Sequence, residues 1–239
     1  MDFDLIVILE DHSRHYWLIK WEWQAQDSFR VLPHFEENTM STIGIIGAGA
    51  IGSAFAKALS RQGIPLVIAN SRGPETLAEL VAELGPTARA VTREEAAAQD
   101  IVLVAVNWSK LPTALAGLPD FGGRIVIDAN NSIEAPSFKP VDLQGRPSSE
   151  VFAEWVPGAR VVKAFNHLLA RLLEADPASE GGKRVLFLSG DDAQAKAEVG
   201  ALIDQLGFFG IDLGELSVGA RLVQFPGGPL PVLNLVKFA

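Results

Sequence analysis

The chain has no cysteine among its 239 residues, which excludes disulfides, thiolate nucleophiles and cysteine-bound metal. That composition fits a reducing cytoplasm. It has no basic stripe either: the formal net charge is −9, so nucleic acid is not an expected partner. Nor does any apolar run approach the roughly 20 residues that cross a bilayer. The longest near the start, "LIVILE", is flanked by Asp2, Asp4, Glu10 and Asp11, acids that a signal peptide does not carry. What remains is 48% hydrophobic and 21% charged, the balance of a globular protein with enough chain for one sizeable core or two small ones.

Residues 1–39 differ in kind from the rest. They hold three of the four histidines (His12, His15, His34), three of the five tryptophans (Trp17, Trp21, Trp23) and the one tyrosine, Tyr16. They also carry −5 of the net charge. Met40 stands just before a strongly apolar run, "TIGIIG". The expectation is an atypical leader over 1–39, disordered or preceding a true start at Met40, with one domain over 40–239. A short packed appendage is the second reading. His12 and His15, at i, i+3 spacing, leave open a metal or partner site.

From residue 40 the chain alternates strand, turn and helix. "TIGIIGAG", "PLVIAN", "ARAVT", "DIVLVAVN", "RIVIDANN", "ARVVKAFN", "KRVLFLSG" and "FFGIDLG" read as strands. The first seven strands are separated by helical or loop patterns, and "DDAQAKAEVGALIDQLG" precedes the eighth. Apolar strands without polar alternation are those of a parallel sheet covered on both faces. The fold class is therefore α/β with a doubly wound parallel sheet, a single domain with a small C-terminal extension. "SIEAPSFKPVDLQGRPSS" is the one long loop-like stretch.

At the first strand-to-helix turn stands "GAGAIG", a G-x-G-x-x-G at Gly47, Gly49 and Gly52. Three glycines at this spacing serve a tight turn, room for a pyrophosphate, and close packing of helix on strand. The helix N-terminus then offers free N–H groups and a positive dipole end to phosphate. The second strand ends in "ANSRGP". NAD enzymes place a carboxylate here to bind the ribose; this chain has Asn70, followed by Ser71 and Arg72. Asn does not repel a 2′-phosphate, Ser can donate to it, and Arg can grip it with a permanently charged fork. The residues thus point to NADP(H).

The segments "GAGAIGSAFAKAL", "ANSRGP", "VAVNW", "VVKAFN", "SGDD" and the tail "IDLGELSVGARLV…GGPLPVLNLVKF" carry a resemblance. From Met40 to the end the sequence resembles the F-420-dependent NADP oxidoreductases, NAD(P)-binding Rossmann enzymes that pass hydride between NADPH and a deazaflavin. It is also similar to the NADPH-oxidising domain of the STEAP metalloreductases, which hand hydride to a flavin. The resemblance implies backbone contacts to the pyrophosphate from Ala48, Gly49, Ala50 and Ile51. It implies that Ser71 and Arg72 bind the 2′-phosphate, that Val106 and Asn107 lie along the nicotinamide, and that Ala164 approaches the ring by its backbone. Three positions depart from the family pattern: Thr76 stands where a basic residue is common, Asn107 where Pro is common, and Asn166-His167 where sequences vary.

No triad or metal set is evident, which suits ring-to-ring hydride transfer more than reduction of a carbonyl. His167, the one histidine of the core domain, is the candidate proton donor for the alternative, an NADPH-dependent reductase of a small carbonyl or imine. A module that binds NADP(H) without turnover is the third reading. Trp108 is a candidate wall of the acceptor site, Trp155 and Lys163 read as structural, and Asp191-Asp192 as a helix cap. Asn130-Asn131-Ser132 is formally a glycosylation sequon, read as a loop at the nicotinamide end. The Pro- and Gly-rich tail "FPGGPLPVLNLVKF" is expected to cover the nicotinamide pocket, to pair with a second subunit, or to pack within the chain. The expected partners are a small-molecule redox acceptor and, in a homodimer, a second copy.

Overall fold

The computed structural model describes residues 5–10, 16–21, 41–134 and 136–238. The described residues divide into two units, one within 1–41 and one within 42–239. In the first, β1 (Leu5–Glu10) pairs antiparallel with β2 (Tyr16–Trp21), Leu5 opposite Trp21 and Glu10 opposite Tyr16. The expectations for His12, His15, His34, Trp23 and a start at Met40 fall outside the described residues.

In the second unit each predicted strand forms. They are β3 (Ile43–Ile46), β4 (Leu66–Ala69), β5 (Ala88–Ala90), β6 (Ile101–Val104) and β7 (Ile125–Asp128). After a small hairpin of β8 (Ile133–Glu134) and β9 (Lys139–Pro140) come β10 (Arg160–Ala164), β11 (Lys183–Gly190), β12 (Phe209–Asp212) and β13 (Val236–Lys237). The sheet order is β12-β11-β10-β7-β6-β3-β4-β5, with β13 on β11. From β5 to β10 the neighbours are parallel, in the doubly wound order with β3 at the centre. β11 runs antiparallel to β10, and β12 is parallel to β11. The sheet is thus mostly parallel rather than wholly so.

Helices cover both faces. On one lie α1 (Ala50–Arg61), α2 (Ala78–Leu84), α6 (Ala170–Glu174) and α7 (Ala193–Gln205). Their Phe55, Leu59, Leu84, Leu173, Val199 and Ile203 pack on Ile43, Ile45, Leu103, Ile127 and Val162. The other face carries α3 (Arg93–Ala97), α4 (Leu111–Leu115), α5 (Ser148–Ala153) and α8 (Leu216–Leu222) over Val67, Val102, Val104, Val126 and Val161. In β3, β4 and β6 successive residues alternate between the two cores and all are buried, so these strands have no polar face and read as continuous apolar runs. Pro74–Leu77 and Trp108–Lys110 wind as single 3₁₀ turns ahead of α2 and α4.

The tail packs within the chain. β13 extends the sheet beside β11, and the Val232 amide donates to the His167 carbonyl at 2.7 Å. Asn234 accepts from the buried Arg184 guanidinium at 2.9 Å. Packing within the chain is one of the three expectations for the segment, and the contacts described are of that kind.

Candidate active site

β3 and β6 are neighbours, yet their following helices, α1 and α4, go to opposite faces. The crevice left at their carboxyl ends is where ligands bind in open α/β sheets. Here it forms a cleft of about 720 Å³, running from the glycine loop past Asn70–Pro74 to Thr92–Glu94 and Ala105–Asn107.

The glycine loop builds its floor. Gly47 sits at φ 110°, a conformation L side chains avoid, and a Cβ there would collide with the Ala105 carbonyl oxygen. A Cβ on Gly52 would strike the Gly47 carbonyl oxygen, so α1 can lie on the loop only with glycine at 52. Gly49 differs: a Cβ there would meet nothing within 4 Å. Its openness faces the cleft and leaves room for a ligand. Gly49 is also the N-cap of α1 and supplies no side-chain acceptor. The first N–H groups of that helix are accordingly available to an anion.

The second wall is the turn after β4. The Asn70 side chain accepts from the Arg72 amide at 2.9 Å and donates to the Thr76 hydroxyl at 2.8 Å. Thr76 in turn donates to the Gly73 carbonyl at 2.8 Å. An aspartate at 70 could accept from Arg72 but could not donate to Thr76, so the amide is used twice in the turn. Thr76 is committed to that turn. Ser71 and Arg72 line the cleft and are exposed. Among the described residues neither side chain has a hydrogen-bond or ion-pair partner. Arg93, farther along, is tied to Glu94 at 2.8 Å and to the carbonyls of Thr113 and Ala114 at 3.1 and 3.2 Å.

Of the residues singled out from the sequence, Gly47, Ala48, Gly49, Asn70, Ser71, Arg72, Val106 and Asn107 line this one cleft. Ala50 follows at the start of α1, while Ile51 and Gly52 stand behind the loop, half-buried and buried. Ala164 is fully buried at the end of β10, outside the cleft lining. Trp108 is buried and packs against Trp155, ring centroids 5.3 Å apart and planes tilted by 60°; it does not line the cleft.

His167 is 1% exposed and packs on Phe187 at 4.9 Å between rings. Burial pushes it down to about 4, opposed only by the Val185 backbone. It lies under the tail, away from the cleft lining. Asp192 caps α7, accepting from the Ala195 amide at 2.6 Å, whereas Asp191 reaches across to the Leu216 amide of α8 at 2.9 Å.

A buried polar cluster behind the cleft has no local trace in the sequence. Lys163 and Asp128, both 0% exposed, pair at 3.0 Å. Ser149 donates to the same carboxylate at 2.8 Å. Asn130, 3% exposed, donates to Asp128 from its amide N–H at 3.0 Å and from its side chain at 2.8 Å. Its burial leaves the sequon asparagine no access to a glycan.

The comparisons with known proteins agree with this geometry. Residues 42–132 match the family described as NADP oxidoreductase, coenzyme F420-dependent. The chain is 31% identical over 191 residues to metalloreductase STEAP3 of Rattus norvegicus, covering 79% of this chain and 37% of that protein. The chain thus spans little more than a third of the length of the curated relatives it matches. Among solved structures, a hypothetical protein, SMa0349, from Sinorhizobium meliloti is 47% identical, with a TM-score of 0.80 over 84% of this chain and 98% of that one. A putative F420-dependent NADP-reductase from Arthrobacter sp. FB24 is 29% identical, with a TM-score of 0.63 over 74% of this chain and 86% of that one. Among the described residues no helix is long and apolar enough to cross a membrane. With a Rossmann sheet, a glycine loop at its switch point and relatives of this kind, the chain is similar to the F420-dependent NADP oxidoreductases, whose family model its residues 42–132 match.

Proposed function

We propose that this protein passes hydride between NADP(H) and a ring acceptor, a deazaflavin such as coenzyme F-420 or a flavin, in a reducing cytoplasm. One observation carries the coenzyme half of the reading. At the end of β4 an asparagine-built turn presents Ser71 and Arg72, without side-chain partners among the described residues, to a cleft that also takes in the glycine loop at the uncapped N-terminus of α1. The α1 N-terminus suits a pyrophosphate, and Ser71 with Arg72 suits a 2′-phosphate. Val106 and Asn107, and the backbone near Ala164, would then flank the nicotinamide. When bound, the coenzyme supplies or receives the hydride. The chain's own residues hold the phosphates, orient the ring and keep the site shielded from water.

The acceptor half rests on the acid–base inventory. Among the described residues, the buried groups near the carboxyl ends of β6, β7 and β10 are already engaged or neutral. Lys163 is paired with Asp128, and His167 is uncharged at neutral pH and outside the cleft lining. Reduction of a carbonyl or imine wants a proton donor at the reacting atom. Transfer between stacked rings does not, and the site suits the second.

The test is turnover of NADPH and NADH with F-420, FMN, FAD and a set of small carbonyls and imines. The reading expects NADPH to be preferred and ring acceptors to be reduced. Arg72→Glu should raise the Kd for NADPH by about tenfold or more, the loss expected of one charge-assisted contact of about 1.4 kcal/mol, and leave that for NADH nearly unchanged. Equal use of both coenzymes, or no effect of Arg72→Glu, overturns the coenzyme assignment. Turnover with carbonyls alone overturns the acceptor class.

A further inference from the structure

Asn130 is unusual in having every polar group engaged. Its amide N–H and its side-chain NH₂ both donate to Asp128, at 3.0 and 2.8 Å. Its own carbonyl accepts from the Lys163 ammonium. The remaining group, the side-chain oxygen, accepts from the Val106 amide at 2.8 Å. Two donors to one carboxylate oxygen leave the side chain a single orientation, and the Lys163–Asp128 pair holds that carboxylate still.

Val106 belongs to the segment Ala105–Asn107 that lines the cleft. Asn131, the next residue, is used in the opposite direction. Its side-chain oxygen accepts from Asn166 at 2.9 Å and from the Phe225 amide at 3.1 Å, and its NH₂ donates to the Asn166 carbonyl at 2.9 Å. Asn166 also donates to the Val223 carbonyl at 2.8 Å.

We propose that Asn130 is a positioning residue for the hydride-transfer end of the cleft. Its side chain fixes the Val106 N–H, and with it the wall along which the nicotinamide lies. Asn131 anchors the same point of the chain to the segment around Phe225. The role rests on the reading that the cleft holds NADP(H) with its nicotinamide against Val106 and Asn107. Asn130 does not line the cleft, so it acts on the ring only through the backbone it holds. The phosphate end is held by other elements, α1 and the turn at Ser71–Arg72, to which Asp128, Asn130 and Lys163 make no hydrogen bond among the described residues. Loss of Asn130 should therefore separate turnover from phosphate binding, because positioning at the reacting atoms contributes to rate more than to ground-state affinity.

The experiment uses the full chain and three variants: Asn130→Ala, Asn130→Ser and, as a stability control, Leu202→Ala, which opens a cavity in the core beneath α7. Asn130→Ser keeps a hydroxyl for Asp128 but is too short to reach Val106, so it serves if the alanine variant fails to fold. For each, kcat with NADPH and the best acceptor is measured beside the Kd of 2′,5′-ADP, a fragment without nicotinamide, and the Tm. Both Asn130 variants are expected to lose about tenfold or more in kcat with the 2′,5′-ADP Kd within about twofold of wild type. Leu202→Ala should lower the Tm while keeping kcat. Unchanged kcat in the Asn130 variants overturns the positioning role alone. So does a loss of kcat that Leu202→Ala reproduces at equal Tm, or one matched by weaker 2′,5′-ADP binding. Failure of the wild-type protein to bind NADPH and 2′,5′-ADP removes the coenzyme reading and the role with it.

Discussion

At position 163 an ammonium lies wholly inside the protein, and what keeps it there decides what its loss would do. Burial pushes the Lys163 pKa down and Asp128 opposes that shift. Replacing the lysine by methionine preserves length but strands the Asp128 carboxylate, also 0% exposed, without a counter-charge. Breaking one half of a buried pair costs about 3–5 kcal/mol, so Lys163→Met should lower the Tm by on the order of 10 °C in thermal unfolding. His167 makes the opposite case, a buried base kept neutral. Burial holds its pKa down to about 4 in the folded chain, against 6.5 for a solvated imidazole. Between those values the unfolded chain binds the proton and the folded one does not, so stability is complete above about pH 6.5 and is lost as pH falls towards 4. The expected loss is about 3 kcal/mol by linkage. Urea unfolding at pH 7 and pH 4.5 should show His167→Gln losing less stability over that interval than wild type, by about 2 kcal/mol; equal losses would mean the imidazole is protonated without cost in the native state.

Helix α1 and the glycine loop touch so closely that one methyl group decides whether they can. A side chain at Gly52 would have to displace the Gly47 carbonyl, whose own loop is pressed against Ala105. Gly52→Val should therefore lower the Tm, since overpacking costs about 1–3 kcal/mol, and also weaken NADPH binding about tenfold by tilting the helix N-terminus off the phosphates. Fluorescence titration would detect the second effect. This element was legible in the sequence because its physics is local: three glycines, a strand before and a helix after. The Asn70–Arg72 turn was legible for the same reason, although the use of both ends of the Asn70 amide was not. Three features escaped. The direction of β11 did, because "VLFL" reads the same in either sense and only its pairing with β10 sets it. The helices α6 and α8, of 5 and 7 residues, also escaped, because each is short and lies in a stretch that reads as loop or tail. The Asp128–Asn130–Lys163 cluster joins residues 33 and 35 positions apart, and no spacing rule reaches across two strands.

Over the whole molecule, the sheet is closed on both faces, so surface that seeks a partner must come from its edges and appendages. The tail is the clearest such place. Asn234 and β13 anchor it to Arg184 and β11, yet Val232, Leu233, Leu235 and Phe238 remain exposed, Phe238 at 62%. Four large apolar side chains on seven consecutive residues, flanking β13, form a surface that water covers poorly. We propose that a second copy covers this surface in a homodimer, bringing the same stretch and burying both. Light scattering after size exclusion should give about twice the 25.6 kDa of the chain. The double variant Leu235→Asp/Phe238→Asp should give a monomer with its fold retained, because neither side chain is buried in the protomer. A monomeric wild type across micromolar concentrations would leave the tail as an edge strand that merely closes its own sheet, and its apolar residues would need another explanation.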